Sequence, residues 1–162
     1  MYQRSLTIRE KALGKEHPNV AISLNCLASL YLAQGKYEKV ESLFQKSLAI
    51  WEKVLGKNHP NIANALNGLA VFYASQGEYV KAESLLQMSL EILEKALGQD
   101  HPNVALNLRN LAFLYQKQGN YEQVESLLQK SFAILEKILG RNHPHTKLLK
   151  NDLQQLQAQL HK

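Results

Sequence analysis

The chain has 162 residues, of which 45% are apolar and 20% are charged, and this composition is typical of a folded globular protein. No apolar run reaches the roughly 18 residues that a membrane-spanning helix needs. The formal net charge of +5 is concentrated at residues 1–16 and 141–162, so the chain lacks the continuous basic stripe that is typical of a nucleic-acid-binding protein.

An internal repeat organises the predicted elements. The segment from Leu55 to Ala63 recurs at residues 13–21 and 97–105, and a weaker copy begins at Leu139. The period is 42 residues, and 21 of the 42 columns are identical in three successive units, which excludes a chance match. The full repeats span residues 19–60, 61–102 and 103–144.

Each repeat contains two amphipathic helices. In the first repeat, Leu24, Leu27 and Tyr31 follow helical spacing, and a second helical pattern begins near Val40. All four prolines fall at the start of a first helix, and seven of the eight glycines fall just beyond a helix end. The pattern predicts eight helices, near residues 1–13, 18–34, 37–55, 60–76, 79–97, 102–118, 121–139 and 144–160.

The two ends of the chain differ from a complete repeat. Residues 1–18 align with the second half of a repeat, so we interpret them as the C-terminal half of a preceding one, and the abrupt start indicates a fragment of a longer array. Residues 145–162 depart from the repeat because polar side chains replace core positions, so we interpret them as a capping helix. The residues predicted to cover the last hairpin are Leu148, Leu153, Leu156 and Leu160.

The residues that recur in each repeat match the sequence pattern of a known family. Leu24-x-x-Leu27-Ala28-x-x-Tyr31, followed by Phe44, resembles the tetratricopeptide repeat (TPR) signature, and the extension Leu-Gly-x-x-His-Pro-x-Val-Ala is similar to the kinesin-light-chain-like subfamily. The resemblance implies an all-α fold, a right-handed superhelical solenoid of antiparallel helix pairs that forms a single domain. It also implies that the first helices line a concave groove, which holds a partner peptide, while the second helices cover the convex side.

Two sets of residues depart from the family pattern. Val40 and Val124 stand where alanine is usual, and a serine replaces a second alanine in each repeat, at Ser47, Ser89 and Ser131.

The family pattern places five positions of each first helix in the groove. These are Ile22, Asn25, Ser29, Leu32 and Ala33, then Asn64, Asn67, Val71, Ala74 and Ser75, then Leu106, Arg109, Phe113, Gln116 and Lys117. The peptide-binding residues predicted from this set are Asn25, Ser29, Asn64, Asn67, Val71, Arg109, Phe113, Gln116 and Lys117. In the family, an asparagine contacts the peptide at the position that Asn25 and Asn67 occupy. The third repeat has Arg109 at this position, and its planar guanidinium group can bind a carboxylate.

The first helices carry little charge, because Arg109 and Lys117 are the only charged residues on the three complete ones. Two interpretations of their polar surface remain open. Its amide groups hydrogen-bond a peptide backbone, or the crowded concave side simply requires small residues. Because no acidic residue lies there, the predicted ligand is a neutral-to-acidic peptide with an apolar anchor at Phe113.

Metal binding and catalysis are not predicted. Four histidines recur every 42 residues, but successive hairpins lie at least ~8–10 Å apart, whereas zinc ligands lie within ~2.1 Å of the metal. We therefore interpret these histidines as packing and capping residues. No phosphate-binding loop, nucleophile elbow or zinc-protease motif is present, so we predict no enzyme activity and no cofactor.

The predicted function is a scaffold that binds a protein or peptide partner, with no nucleic-acid or membrane partner. The rival interpretation is a structural segment that associates weakly end to end, since a cut end exposes apolar residues such as Leu6 and Ile8. Cys26 is the only cysteine, so no intrachain disulfide can form, and this favours a cytoplasmic location.

Overall fold

The computed structural model describes residues 2–160, and for residues 2, 3, 5, 159 and 160 it describes the backbone alone. Within this range the chain forms eight α-helices and no strand, as the sequence predicts. None of these helices is long and apolar enough to cross a membrane. The helices are α1 (Tyr2–Leu13), α2 (Pro18–Ala33), α3 (Val40–Leu55), α4 (Pro60–Ser75), α5 (Tyr79–Leu97), α6 (Pro102–Lys117), α7 (Tyr121–Leu139) and α8 (Pro144–Leu160).

One helix begins differently from the prediction. The helix expected from residue 37 opens with a 3-10 turn at Tyr37–Lys39, and α3 follows it. Such tight turns are frequent at helix starts. The other boundaries that the structure describes agree with the prediction to within one residue, because proline and glycine mark most of them.

The helices form two compact units, Met1–Ile92 and Leu93–Lys162, and the boundary falls inside α5. In the first unit α2 contacts α1, α3 and α4, and α3 also contacts α4. In the second unit α7 contacts both α6 and α8. Helices that are joined by short connections therefore pack against each other, as in other antiparallel helix pairs.

The repeated histidines cap helices. The Nδ1 atom of His59 accepts a hydrogen bond from the backbone N–H of Asn61 at 3.2 Å, and His17 and His101 cap α2 and α6 in the same way. Pro60 then occupies the first helical position, where a missing N–H costs nothing. The capping interpretation of these histidines is confirmed. The helices end at glycines such as Gly56, whose φ of 79° is unfavourable for other residues.

Removing one cap is expected to have a moderate effect. His59→Ala should lower the free energy of unfolding by about 1 kcal/mol, because an orphan N–H of α4 loses its acceptor. His59→Asn keeps a side-chain acceptor and is expected to retain the wild-type stability. Urea denaturation of both variants measures the difference, and equal stabilities for the alanine and asparagine variants would contradict the capping role.

The core of the first unit contains a close approach between α3 and α4. Phe44 is fully buried, and its ring lies against Gly68. A Cβ atom built on Gly68 would lie 2.3 Å from the Cζ atom of Phe44, far inside van der Waals contact. Glycine therefore stands inside a helix because the phenylalanine ring occupies the space of a side chain.

Helix α8 covers part of the second unit, with one change from the predicted contact residues. Leu156 is buried and Leu153 is half-buried, but Leu148 is 41% exposed and Leu149 is fully buried in its place. The prediction that Leu148 covers the last hairpin was wrong, because Leu149 is the residue that occupies the column of the buried Asn107. The side chain of Leu160, the fourth predicted residue, lies outside the described residues.

Candidate peptide-binding surface

A solvent-exposed aromatic side chain marks one face of α6. Phe113 is 56% exposed, although large apolar side chains are usually buried. The Nζ atom of Lys117, one turn further along the helix, lies 5.3 Å from the centre of the Phe113 ring. This distance suits a cation–π contact, in which the ammonium lies over one face of the ring and places a positive charge beside it.

A pocket opens next to this ring, within the second unit. Its volume is about 150 Å³, similar to that of an engineered protein cavity that binds benzene. Three predicted binding residues, Arg109, Phe113 and Gln116, line it. Its other lining residues are Ala112, Val124, Leu128, Asp152, Gln155 and Leu156. The pocket therefore combines buried apolar walls with a polar rim and has room for one apolar side chain.

An ion pair spans the rim of this pocket. The Nε atom of Arg109 on α6 donates to Oδ2 of Asp152 on α8 at 2.6 Å, and both side chains are partly exposed. Arg109, which the sequence assigns to a ligand carboxylate, thus already contacts a carboxylate of its own chain. The sequence-based site did not include Asp152 or Gln155, because α8 was interpreted only as a cap.

The five predicted residues of the first unit lie on α2 and α4. Ser29, Asn64 and Val71 are exposed, whereas Asn25 and Asn67 are half-buried. The Oδ1 atom of Asn25 is buried and has no hydrogen-bond partner among the described residues. A peptide N–H therefore cannot reach this oxygen while the side chain keeps its present orientation.

Asn67 takes part in a hydrogen-bond relay within the first unit. Its Nδ2 atom donates to the Oγ atom of Ser89 at 3.1 Å, and this hydroxyl donates to the carbonyl oxygen of Ala63 at 2.9 Å. Ser47 and Ser131 donate to the equivalent carbonyl groups of their own hairpins. The serines that depart from the family pattern therefore tie the two helices of each hairpin together, and Asn67 supports that contact.

A second polar cluster lies in the first unit. The hydroxyl of Tyr73 donates to Oε1 of Glu41 at 2.7 Å, and Nζ of Lys81 lies 5.1 Å from the centre of the Tyr73 ring. The hydrogen bond to Glu41 raises the pKa of Tyr73 to about 12, and burial and the negative charges of Glu41 and Glu78 act in the same direction. Lys81 forms an ion pair with Glu78, and this contact raises the pKa of Lys81.

This hydrogen bond is expected to make stability depend on pH in the alkaline range. An unfolded tyrosine has a pKa of about 10, so the contribution of Tyr73 is complete below about pH 10 and is lost as the pH rises towards about 12. Tyr73→Phe should therefore cost about 1 kcal/mol near neutral pH, and its stability should converge with that of the wild type as the pH approaches 12. Urea denaturation at both pH values measures this, with Tyr121→Phe as a control at an exposed tyrosine. A difference that persisted unchanged at alkaline pH would contradict it.

No group of three or more histidine, cysteine, aspartate or glutamate side chains with the geometry of a metal site occurs among the described residues. His143 and His145 lie side by side, with ring centres 5.4 Å apart. The Nδ1 atom of His143 accepts a hydrogen bond from the backbone N–H of His145. This histidine thus makes the same kind of capping contact as the other three.

Comparisons with known proteins agree with this architecture. A family model described as tetratricopeptide repeat matches residues 1–53, 21–95, 61–137 and 103–162. Nephrocystin-3 of Homo sapiens is 52% identical over 42 residues, and nephrocystin-3 of Xenopus laevis is 50% identical over the same length. Each match covers 26% of this chain and spans only 3% of the relative.

Solved structures with the same fold cover almost the whole chain. The nearly identical TPR-like repeats of a Podosopora anserina protein assigned as a kinesin light chain superpose with a TM-score of 0.73 at 28% identity, over 96% of this chain and 73% of that one. BtubC (BKLC) from P. vanneervenii superposes with a TM-score of 0.77 at 21% identity, over 97% of this chain and 66% of that one. The predicted fold class and the kinesin-light-chain-like character of the repeats are confirmed.

Proposed function

The chain belongs to the tetratricopeptide repeat family, and from this premise we propose that it binds neutral-to-acidic peptides that carry one bulky apolar residue. Repeats of this kind are protein–protein interaction scaffolds and are generally non-catalytic. The proposed contact surface in the second unit consists of Arg109, Phe113, Gln116 and Lys117.

The observation that carries this proposal is the exposed ring of Phe113 between two cationic side chains. Arg109 and Phe113 share the lining of one pocket, and Lys117 contacts the ring. An apolar ligand side chain gains free energy by leaving water for the pocket or the ring face. A neighbouring ligand carboxylate then meets two positive charges on α6, one of which is already paired with Asp152 of α8.

Separate peptide contacts are proposed for the first unit, on α2 and α4. The residues are Asn25, Ser29, Asn64, Asn67 and Val71. Val71 is 45% exposed and supplies an apolar contact, while the exposed Ser29 and Asn64 supply hydrogen-bonding groups for a peptide backbone. Asn67→Ala is a poor test of binding, because it also removes the hydrogen bond to Ser89.

The first test is a titration with a short synthetic peptide in which glutamates flank one phenylalanine. Arg109→Gln is expected to weaken binding roughly tenfold, because a charge-assisted hydrogen bond contributes about 1.5 kcal/mol or more. Phe113→Ala should weaken it as well, through the loss of apolar contact. Binding of the wild type should also decrease as the salt concentration increases.

Two controls accompany this titration. Lys130→Gln removes one positive charge from an exposed position of α7 and is expected to bind like the wild type. A peptide with glutamines in place of the glutamates should bind more weakly to the wild type and should not distinguish Arg109→Gln from it. If Arg109→Gln and Phe113→Ala both bound the acidic peptide as tightly as Lys130→Gln does, the proposed surface would be wrong.

A second candidate function is end-to-end self-association. It is favoured by Ile8 on α1, whose side chain is 58% exposed. It is opposed by charge, since residues 1–16 carry four basic and two acidic side chains, and residues 141–162 carry four basic and one acidic. Because two basic ends repel each other, association of this kind should increase with salt. Sedimentation across a range of concentrations at low and high salt separates the two functions.

We also propose a reducing, cytoplasmic location. Cys26 is exposed as a free thiol on α2 and is the only cysteine of the chain. Free exposed thiols persist in reducing compartments and are oxidised elsewhere.

A further inference from the structure

The ion pair at the rim of the pocket uses only part of the Arg109 side chain. Asp152 accepts a hydrogen bond from Nε, and neither terminal nitrogen of Arg109 makes a hydrogen bond with any residue that the structure describes. The side chains of Arg109 and Asp152 are 32% and 26% exposed, so water and ligands can reach the pair. The remaining donors of the guanidinium are therefore unused in this arrangement.

The geometry of guanidinium explains why one carboxylate does not exhaust it. The group is planar and carries five N–H donors, so a carboxylate at Nε leaves the edge formed by the two terminal nitrogens for a second carboxylate. A lysine ammonium at the same place is a compact charge on a flexible chain, and it would be directed to the nearest carboxylate. Arginine therefore suits a site that holds a resident and an incoming carboxylate together better than lysine does, because its donors point in fixed directions.

The resident carboxylate is particular to α8. In the repeat alignment, the column of Asp152 holds Cys26, Gly68 and Asn110 in the other first helices, and none of these carries a negative charge. The column of Arg109 holds Asn25 and Asn67. Arginine and aspartate therefore occupy these two columns together only where α6 meets α8, and both residues line the pocket there.

We propose that Asp152 is a specificity-determining residue: it holds Arg109 by Nε at the mouth of the pocket, so that the two terminal nitrogens bind one carboxylate of the ligand. This inference rests on the proposed function, because it concerns the same surface. It has two consequences for recognition. The site requires arginine at position 109 instead of any cation, and Asp152 repels a second ligand carboxylate at this point.

The test is a pair of lysine variants, titrated with the phenylalanine peptide flanked by glutamates. Arg109→Lys keeps the positive charge, but the ammonium is expected to pair with Asp152, so the affinity for the acidic peptide should fall roughly tenfold. Arg109→Lys combined with Asp152→Asn releases the ammonium for the ligand. The double variant should therefore bind the acidic peptide at least about fivefold more tightly than Arg109→Lys alone.

Two readouts separate recognition from a loss of structure. The glutamine form of the peptide should bind Arg109→Lys and the double variant equally, since it carries no side-chain carboxylate for the cation. Circular dichroism should show wild-type helicity for both variants at the titration temperature, because each retains a hydrogen-bonding side chain at both positions.

The possible results distinguish this inference from the proposed function. If Arg109→Lys bound the acidic peptide as the wild type does while Arg109→Gln did not, the cationic site would stand and the role of Asp152 would be overturned. The same conclusion would follow if Asp152→Asn failed to restore binding to Arg109→Lys. If all Arg109 variants bound like the wild type, the proposed function itself would fall.

Discussion

Leu149→Ala is expected to lower the free energy of unfolding of the second unit by about 2–5 kcal/mol, the range for large-to-small changes at buried leucines. Leu149 is fully buried on α8, and the neighbouring helix α7 has α6 on its other side. In repeat proteins such contacts between adjacent helices carry much of the stability. Deletion of residues 145–162 should be more severe and should cause aggregation, since it uncovers apolar side chains such as Leu128.

Leu148→Ala is the matched control for this prediction. It removes the same number of atoms from the adjacent residue, but its side chain is 41% exposed, so the expected loss is below about 1 kcal/mol. Thermal denaturation of the two variants compares them directly. Equal melting temperatures for the two would show that α8 does not pack as described.

Gly68→Ala is expected to destabilise the first unit by about 1–3 kcal/mol, the usual cost of overpacking a core. Helix propensity alone predicts the opposite sign, because alanine is more favourable than glycine inside a helix by about 1 kcal/mol. The clash with the buried Phe44 ring outweighs that gain, since the added Cβ would lie 2.3 Å from it. Urea denaturation of the variant measures the net effect.

A second change should relieve this clash. Phe44→Leu alone should be destabilising because it leaves a space beside Gly68, whereas the double variant should be more stable than Gly68→Ala alone. The third repeat offers a precedent, since Leu128 stands in the column of Phe44 and borders the same pocket as Asp152, which stands in the column of Gly68. Stabilities that were simply additive would contradict a direct contact between residues 44 and 68.

The fold was predictable because local and long-range signals agree at each boundary. Pro60 fixes the first turn of α4 after the histidine cap, and Gly56 ends the preceding helix. Proline and glycine recur at these positions in every repeat, so they mark the helix boundaries throughout. The packing of Phe44 against Gly68 was not predicted. A signal did exist, because Gly68 is the only glycine inside a predicted helix, and Phe44 is larger than the leucines at the equivalent positions 86 and 128.

The candidate site was predictable only in part. Repeat columns placed Arg109, Phe113 and Lys117 on one helix, and the structure brings the first two to one pocket. The partner of Arg109 was missed because Asp152 lies on the helix that departs from the repeat, and charge pairing between helices depends on side-chain reach that a column pattern does not contain. The hydrogen bond from Asn67 to Ser89 was missed because it also depends on side-chain reach between two helices. A signal for it did exist, since Ser89 departs from the family pattern.

A random-peptide selection against the folded chain tests most directly whether α6 offers an apolar contact between two cations. The selected peptides are expected to be neutral to acidic, with a bulky apolar residue next to a carboxylate. The same selection against Arg109→Gln combined with Phe113→Ala should lose this consensus while helicity stays intact. Selected peptides that were basic, or a consensus that was unchanged with the double variant, would contradict the account.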